Sequence, residues 1–236
     1  MLCLIGLGLN ENSISLEGKE ALDKCSLVYL ESYTVDFPYT IESLQKSLGK
    51  KIEKLGRDKV ESSKLVIEAK TQEVALLVYG CPLFATTHTT LLLDCKKQKI
   101  KTRVIYNASV FDAIAETGLQ LYKFGKITSM PKWQKSFTPD SFLDIVKENN
   151  SIKAHSLILT DIGLKLEDAL SQLELACKNK NIKLDKIIIS SSLGTDKAKI
   201  YYDKPENLKT KKVSMPFCII IPSELHFLEK EYLEKI

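Results

Sequence analysis

The feature that most constrains the fold is an alternation of strand-like and helix-like segments through the first half of the 236-residue chain. Its centre is a continuous apolar run at 73–79, which is typical of a strand buried on both faces of a parallel sheet. Around it, strands are predicted at 2–9, 26–33, near Ile52 and at 102–106, and helices at 16–25, 41–48, 64–69 and 86–97. Repeated strand–helix–strand units predict a mostly parallel sheet with helices on both faces.

The chain changes character around 107–124, and the rest is expected to form a second α/β unit with more antiparallel pairing. After a proline-bearing loop, helices are predicted at 139–148 and 166–178, and strands at 156–160, 186–190, 198–202 and 217–221. We therefore expect two α/β domains, 1–110 and 111–236. A ligand is expected in the cleft between them, because domain junctions and the carboxyl ends of strands favour binding sites.

Composition narrows the class of protein. Apolar residues make up 44% and charged residues 27% of the chain, so a packed core is expected rather than disorder. The longest apolar stretches, such as 74–79 and 217–222, are too short to cross a bilayer. The apolar segment 1–9 lacks the basic region and the cleavage site of a signal peptide, so a cytoplasmic protein without a membrane partner is expected.

The cysteines and the charges exclude two further classes of site. Six cysteines are scattered without a CxxC pair, and with three histidines they form no local zinc spacing, so we expect reduced thiols and no metal. The net charge is only +4, and Arg57 and Arg103 are the sole arginines. A nucleic-acid groove would more often show clustered arginines among aromatic residues, so no direct nucleic-acid partner is expected.

Two loops with glycine follow predicted strands of the first half. The first, Gly6–Asn10, lacks the GxGxxG pattern of dinucleotide-binding folds because position 11 is Glu, and a tight strand–helix turn is the favoured interpretation. In the second, Gly80 and Pro82 end the buried strand, and Thr86 or Thr87 is expected to cap the next helix by accepting a backbone N–H. His88 is interpreted as a packing or helix-face histidine rather than a base.

Other strand ends carry small or polar side chains. The segment 106–110 leaves room for a planar ligand such as adenine, although an ordinary strand exit would look the same; 160–161 and 191–195 end two strands of the second half. The chain contains no GxSxG, P-loop or HExxH motif. Methyl transfer from a sulfonium fits that absence, since positioning alone can lower a barrier by roughly 7–11 kcal/mol.

Several segments resemble those of the diphthine synthase family. Residues 4–9 (LIGLGL), followed by 13–18 (SISLEG), are similar to the family's amino terminus, and 82–89 (PLFATTHT) resembles its GDPLVATTH loop. The longest similar segment is 107–125 (NASVFDAIAETGLQLYKFG). Further similarity lies at 141–149, 160–162 and 222–229, so the resemblance covers essentially the whole chain.

The resemblance implies a tetrapyrrole methylase-like fold of two α/β domains that binds S-adenosylmethionine in the cleft and dimerises. It implies methylation of the amino group of a 3-amino-3-carboxypropyl arm on a histidine of translation elongation factor 2, with S-adenosylhomocysteine as the product. No catalytic side chain is implied. Carried over by position, the cofactor-binding residues are Leu9, Cys81, Phe84, Ser109, Val110, Thr160, Leu193 and Phe217.

Three of these positions depart from the family pattern. Cys81 stands where the family has Asp, Thr160 replaces an apolar residue, and Phe217 replaces a histidine. The first change removes a carboxylate that could accept bonds from the cofactor, since a thiol is a poor acceptor. These departures support a second hypothesis, that the protein is a degenerate family member that binds elongation factor 2 or the cofactor without turnover. A methyltransferase of the same fold that acts on a tetrapyrrole or on ribosomal RNA is a third hypothesis.

Overall fold

The computed structural model describes every residue from Met1 to Ile236. The chain forms two compact units, Met1–Phe111 and Asp112–Ile236, and each contains a five-stranded sheet. The expected α/β fold class is confirmed. None of the helices combines the length and the apolarity that crossing a bilayer requires.

The first unit is built on a fully parallel sheet. Its strands are β1 (Leu2–Gly6), β2 (Leu27–Glu31), β3 (Glu53–Leu55), β4 (Val74–Val78) and β5 (Thr102–Ile105). They lie in the order β3-β2-β4-β1-β5. The connecting helices are α1 (Leu16–Lys24), α2 (Ile41–Leu48), α3 (Arg57–Val60), α4 (Lys64–Glu68) and α5 (Thr89–Lys97).

The apolar character of the central strands follows from burial on both sheet faces. Every residue of β1 and β4 is buried. Because successive side chains of a strand point to opposite faces, Leu4 packs in one core with Leu65 of α4, while Ile5 packs in another with Leu22 of α1. The run at 73–79 is therefore a central strand, as its sequence predicts.

The second unit has a mixed sheet in the order β6-β7-β10-β8-β9. Its strands are β6 (Thr128–Met130), β7 (Ser156–Thr160), β8 (Ile187–Ser191), β9 (Lys199–Asp203) and β10 (Phe217–Ile221). Only β6 and β7 run parallel. The short helix α6 (Val110–Ala113) includes the sequence boundary between the two units. The helices of the second unit are α7 (Phe142–Ser151), α8 (Leu166–Asn179), α9 (Pro205–Leu208) and α10 (Phe227–Leu233), with two 3-10 turns at Ile114–Thr117 and Leu121–Lys123.

The amphipathic stripe of α8 explains why this long helix packs on the second sheet. Leu166, Ala169, Leu170 and Leu173 recur at helical spacing and are buried in a core that also contains alternate residues of β8 and β10. The helix predicted at 166–178 is thus confirmed. The acidic side chains in its first turn interact favourably with the positive end of the helix dipole and stabilise the helix.

The expected start of the fifth helix is wrong. The helix begins at Thr89 rather than at 86. A helix starting at 86 would need Ala85 as an N-cap with an extended backbone, and Ala85 instead has a left-handed φ of 52°. The expected cap is also wrong: the hydroxyls of Thr86 and Thr87 donate, to the Pro82 carbonyl and to Glu61, instead of accepting a helix N–H. The three-residue strand β6 had no period-2 pattern and was not predicted.

Candidate functional site

Three loops of the first unit, called here the strand-end loops (residues 7–10, 79–84 and 106–110), leave the carboxyl ends of the adjacent strands β1, β4 and β5. The first two loops are joined by a short bridge. The Gly80 N–H donates to the Gly8 carbonyl at 2.9 Å, and the Gly8 N–H donates to the Gly80 carbonyl at 3.3 Å. The loops are thereby held side by side at the carboxyl ends of the parallel strands, where ligands commonly bind.

Asn107 ties the third loop to the first. Its side-chain amide donates to the carbonyls of Gly6 at 3.1 Å and Ser13 at 2.8 Å, while its side-chain oxygen accepts the Ala108 N–H at 2.8 Å. One asparagine thus uses both its donor and its acceptor groups to fix two strand exits. No role for Asn107 was predicted; its only sequence signal was a polar amide at a strand exit otherwise made of small residues.

The glycines of the first loop are explained by packing and backbone conformation. A Cβ on Gly6 would lie 2.6 Å from the Gly80 carbonyl oxygen, and Gly8 has a φ of 72°, a region that favours glycine. Both requirements are internal to the protein. The interpretation of this motif as a tight turn is therefore supported, and the glycines themselves do not indicate a ligand.

The loop after β4 is held by donors that converge on one carbonyl. The Pro82 oxygen accepts from the Thr86 hydroxyl at 3.1 Å and lies 2.9 Å from Nδ1 of His88. Because a carbonyl can only accept, that ring nitrogen carries the proton and donates. His88 is buried, and its Nε2 has no protein partner. The geometry fits the interpretation of His88 as a packing histidine.

The structure places five residues of the implied cofactor set in or beside the strand-end loops: Leu9, Cys81, Phe84, Ser109 and Val110. Leu9 and Ser109 are buried and the others are half-buried. The ring of Phe84 stacks on Phe111 with centroids 5.9 Å apart, which adds an apolar surface next to Val110. Two members of this set, Phe84 and Val110, are half-buried apolar side chains.

The other three implied residues, Thr160, Leu193 and Phe217, lie at one end of the second sheet. β7 ends at Thr160, Leu193 follows β8, and the antiparallel strand β10 starts at Phe217. The Thr160 hydroxyl donates to the Phe217 carbonyl at 2.5 Å. Two of the positions that depart from the family pattern are thus joined by a hydrogen bond, so the polar side chain of Thr160 is satisfied within the protein.

A cluster of ionisable side chains lies in the second unit, and we call it the buried charge network (Lys123, His155 and Glu229). The Glu229 carboxylate is buried, and accepts from Lys123 Nζ at 2.6 Å, His155 Nε2 at 3.2 Å, and the N–H groups of Gln120 at 3.0 Å and His226 at 2.7 Å. Burial alone would raise its pKa, but these donors together lower the pKa to about 2.

His155 is kept neutral within this network. Burial lowers its pKa, and its Nδ1 accepts the Ser223 N–H at 3.0 Å, so the proton resides on the Nε2 that faces Glu229. His155 precedes β7, whereas Thr160 ends it, so the two are separated by the length of the strand, about 16 Å at 3.3 Å per residue. The network therefore lies at the end of the second sheet opposite to the implied cofactor residues.

No group of three or more His, Cys, Asp or Glu side chains is arranged to hold a metal ion. The strand-end loops likewise contain no acidic residue beside a base. The arrangement offers shape, apolar surface and backbone groups, which suits a reaction governed by positioning.

Comparison with known proteins identifies the family. The family model described as tetrapyrrole (corrin/porphyrin) methylases matches residues 1–208. The diphthine synthase of Methanothermobacter thermautotrophicus is 36% identical over 252 residues, which cover 100% of this chain and 95% of that protein. The diphthine methyl ester synthase of Schizosaccharomyces pombe is 38% identical over 213 residues, 89% of this chain and 74% of that protein.

A solved structure supports the same relationship. A crystal structure of diphthine synthase superposes with a TM-score of 0.89 at 32% identity, covering 99% of this chain and 94% of that one. Sequence and fold agree along the whole chain. The protein therefore belongs to the diphthine synthase family of methyltransferases, within the tetrapyrrole methylases.

Proposed function

We propose that this protein transfers methyl groups from S-adenosylmethionine to the amino group of the 3-amino-3-carboxypropyl-histidine of translation elongation factor 2, and so forms diphthine. The observation that carries the proposal is kinship along the whole chain with proteins named for that reaction. The site geometry supports it, because the loops after β1, β4 and β5 are fixed by hydrogen bonds and bear apolar side chains.

The residues present fit the cofactor in chemical class. An adenine ring and an aliphatic sulfonium chain suit flat apolar surface and backbone hydrogen-bonding groups, and Phe84 and Val110 supply half-buried apolar surface beside the backbone of 108–110. When bound, S-adenosylmethionine supplies a methyl group already activated by its positive sulfur. The protein then has to hold the amine nitrogen in line with the methyl carbon and exclude water.

We propose that the eight residues implied by the resemblance bind the cofactor, with Leu9, Cys81, Phe84, Ser109 and Val110 contributed by the first unit. Thr160, Leu193 and Phe217 are the contribution of the second. Because the side chain at 81 is a thiol rather than a carboxylate, backbone groups of the strand-end loops carry more of the binding.

The proton balance needs no dedicated base in this proposal. The amine nitrogen must be unprotonated before it forms its bond to carbon; the carbon–sulfur bond breaks, and S-adenosylhomocysteine leaves. No side chain of the strand-end loops forms an acid–base pair, so the amine's proton is assigned to water. A side chain whose removal abolished the rate and left cofactor affinity intact would contradict this assignment.

The same kinship supports a proposed partner and a proposed assembly. Elongation factor 2 is the proposed protein substrate, and a cytoplasmic homodimer is the proposed form of the enzyme. The departures from the family pattern at Cys81, Thr160 and Phe217 motivate a second candidate, a family member that binds its partner or the cofactor without turnover. The first candidate is preferred, because losing one charge-assisted bond costs about 1.5–3 kcal/mol, which weakens binding without abolishing it.

The test is transfer of labelled methyl to cognate elongation factor 2 that carries the unmethylated aminocarboxypropyl arm. Label on that histidine is the expected result, and the mass increment counts the methyl groups added. Elongation factor lacking the arm is the matched control and should stay unlabelled. A folded protein that binds S-adenosylmethionine but transfers no label would favour the second candidate.

A further inference from the structure

Tyr79 is the first residue after the buried strand β4 and begins the strand-end loop 79–84. Ala75 and Leu77 of β4 face the core that contains α1 and α2, and Tyr79 continues this alternation toward the same side. Its ring is half-buried against Phe37 and Tyr39, which belong to that core. The direction of the side chain is thus set by the strand, and its ring is confined by packing.

The three rings form a cluster with edge-on geometry. The Tyr79 centroid lies 5.5 Å from that of Phe37 and 6.4 Å from that of Tyr39, and Phe37 and Tyr39 are 5.5 Å apart. Such separations are in the range of favourable aromatic pairs. The cluster holds the Tyr79 ring and leaves its hydroxyl as the group that can bond elsewhere.

The two tyrosine hydroxyls of this cluster differ in what they do. The Tyr79 hydroxyl donates to the Leu9 carbonyl at 3.1 Å, whereas the Tyr39 hydroxyl is buried without a protein partner. Burial raises the pKa of both groups, so each stays a neutral hydroxyl able to donate. Only Tyr79 uses that donor, and its target is the backbone of the first strand-end loop.

We propose that Tyr79 is a positioning residue for S-adenosylmethionine, whose hydroxyl fixes the Leu9 carbonyl and thereby the path of the 7–10 loop that receives the cofactor. The inference rests on the proposed function, because it requires Leu9 to lie at the cofactor site. The Gly8–Gly80 bridge fixes one side of this loop, and the Tyr79 hydroxyl fixes the residue beyond it. The role is distinct from general support of the core, which the ring alone provides.

This role predicts a specific kinetic signature. A looser 7–10 loop weakens cofactor binding in the ground state, so KM for S-adenosylmethionine rises while kcat at saturating cofactor stays nearly constant. The KM for elongation factor 2 should not change. A defect in core packing would instead lower the fraction of folded enzyme and scale down kcat alone.

The experiment compares Tyr79→Phe with Tyr39→Phe in the full-length protein. Both changes remove one hydroxyl from the same ring cluster and keep the ring, so the second is a matched control. The dissociation constant of S-adenosylhomocysteine is measured by titration calorimetry, alongside KM and kcat for methyl transfer. We expect Tyr79→Phe to raise the dissociation constant and KM about three- to tenfold, and Tyr39→Phe to change them less than twofold.

Hydrogen exchange gives a readout that does not depend on activity. The peptide spanning 7–13 should exchange faster in Tyr79→Phe than in the wild type or Tyr39→Phe. Equal affinities and equal exchange in both variants, with a wild type that binds cofactor, would overturn the role of Tyr79 and leave the proposed function standing. A wild type that binds no cofactor would overturn both.

Discussion

The strand-end loops and the buried charge network are both polar, hydrogen-bonded regions, but they are built on opposite principles. In the loops, neutral side-chain donors such as Asn107 and Tyr79 fix backbone carbonyls. In the network, three ionisable side chains satisfy each other, and the pKa of Glu229 falls to about 2. The carboxylate whose pKa falls furthest therefore lies at the end of the second sheet opposite to Thr160.

This difference means that a shifted pKa does not by itself mark the proposed cofactor site. Shifted groups often mark catalytic centres because most reactions need an acid or a base, yet structural ion networks shift pKa values as well. Methyl transfer from a sulfonium needs neither at the donor. A site that works by positioning is better found from the hydrogen bonds that fix its loops.

The largest expected effect is a loss of folding stability when the buried charge network is broken. Glu229→Gln removes the carboxylate that Lys123 and His155 depend on, and should lower the free energy of unfolding by about 3 kcal/mol. Cofactor affinity at a temperature where the variant is folded should be unchanged. The matched control is Glu224→Gln, which breaks the exposed ion pair with Lys153 and should have little measurable effect. Denaturant titration measures the stability of both variants, and calorimetry measures their affinity for the cofactor. A large loss of affinity in Glu229→Gln would show that the buried charge network supports cofactor binding.

The same network predicts an acid dependence with a definite sign. Because the folded-state pKa of Glu229 lies near 2, below the ordinary value of 4.5, its stabilising contribution is present above about pH 4.5 and is lost as the pH falls toward 2. The stability difference between the wild type and Glu229→Gln should therefore shrink below that pH. A difference that stays constant down to about pH 2 would show that the carboxylate is not the stabilising group.

Asn107→Ala should have the next largest effect, and on affinity. It removes the hydrogen bonds to the carbonyls of Gly6 and Ser13, which together contribute about 2 kcal/mol. The loop after β5 is then no longer tied to the segments that flank the loop after β1. We expect cofactor affinity to fall about tenfold, measured by calorimetry. Asn150→Ala, which removes an exposed acceptor for Ser223 in the second unit, should leave affinity unchanged. Equal affinities in the two variants would show that Asn107 does not support cofactor binding.

Cys81→Asp tests whether the second strand-end loop retains the family's geometry. A carboxylate there can accept a charge-assisted bond worth about 1.5 kcal/mol or more, so cofactor affinity should tighten about tenfold. Cys81→Asn, an acceptor without charge, should tighten it less. Unchanged or weaker binding in Cys81→Asp would show that this loop holds the cofactor differently.

Thr160→Val should have the smallest effect. It removes the hydroxyl that donates to the Phe217 carbonyl while preserving shape, and should cost about 1 kcal/mol of stability with little change in affinity. Thr210→Val, which removes an exposed and longer bond to Asn207, should cost less. If Thr160→Val left stability intact but lowered cofactor affinity more than tenfold, the hydroxyl would serve the ligand instead of the sheet.

Much of the fold could be predicted because burial leaves a periodic signal. The apolar run at 73–79 is the central strand β4, and the stripe on 166–178 is the amphipathic helix α8. The start of α5 could not be predicted, because alanine gives no local signal for the left-handed backbone that Ala85 adopts. The strand β6 has only three residues, which is too short for a period-2 pattern to be recognised.

The site was less accessible to sequence reasoning. The segments 79–88 and 106–110 were correctly expected to follow the ends of two strands, and the resemblance supplied the candidate residues. The roles of Asn107 and Tyr79 depend on which carbonyls their side chains reach across about 94 and 70 residues of sequence. No local pattern encodes such distant pairings, so only the folded structure reveals how the loops are held.

The most direct test of the central claim is a crystal structure with S-adenosylhomocysteine bound. The account predicts the ligand against the strand-end loops, in contact with Leu9, Phe84, Ser109 and Val110, and with Tyr79 still bonded to the Leu9 carbonyl. A ligand bound instead beside Lys123, His155 and Glu229, or one that leaves the strand-end loops untouched, would contradict it.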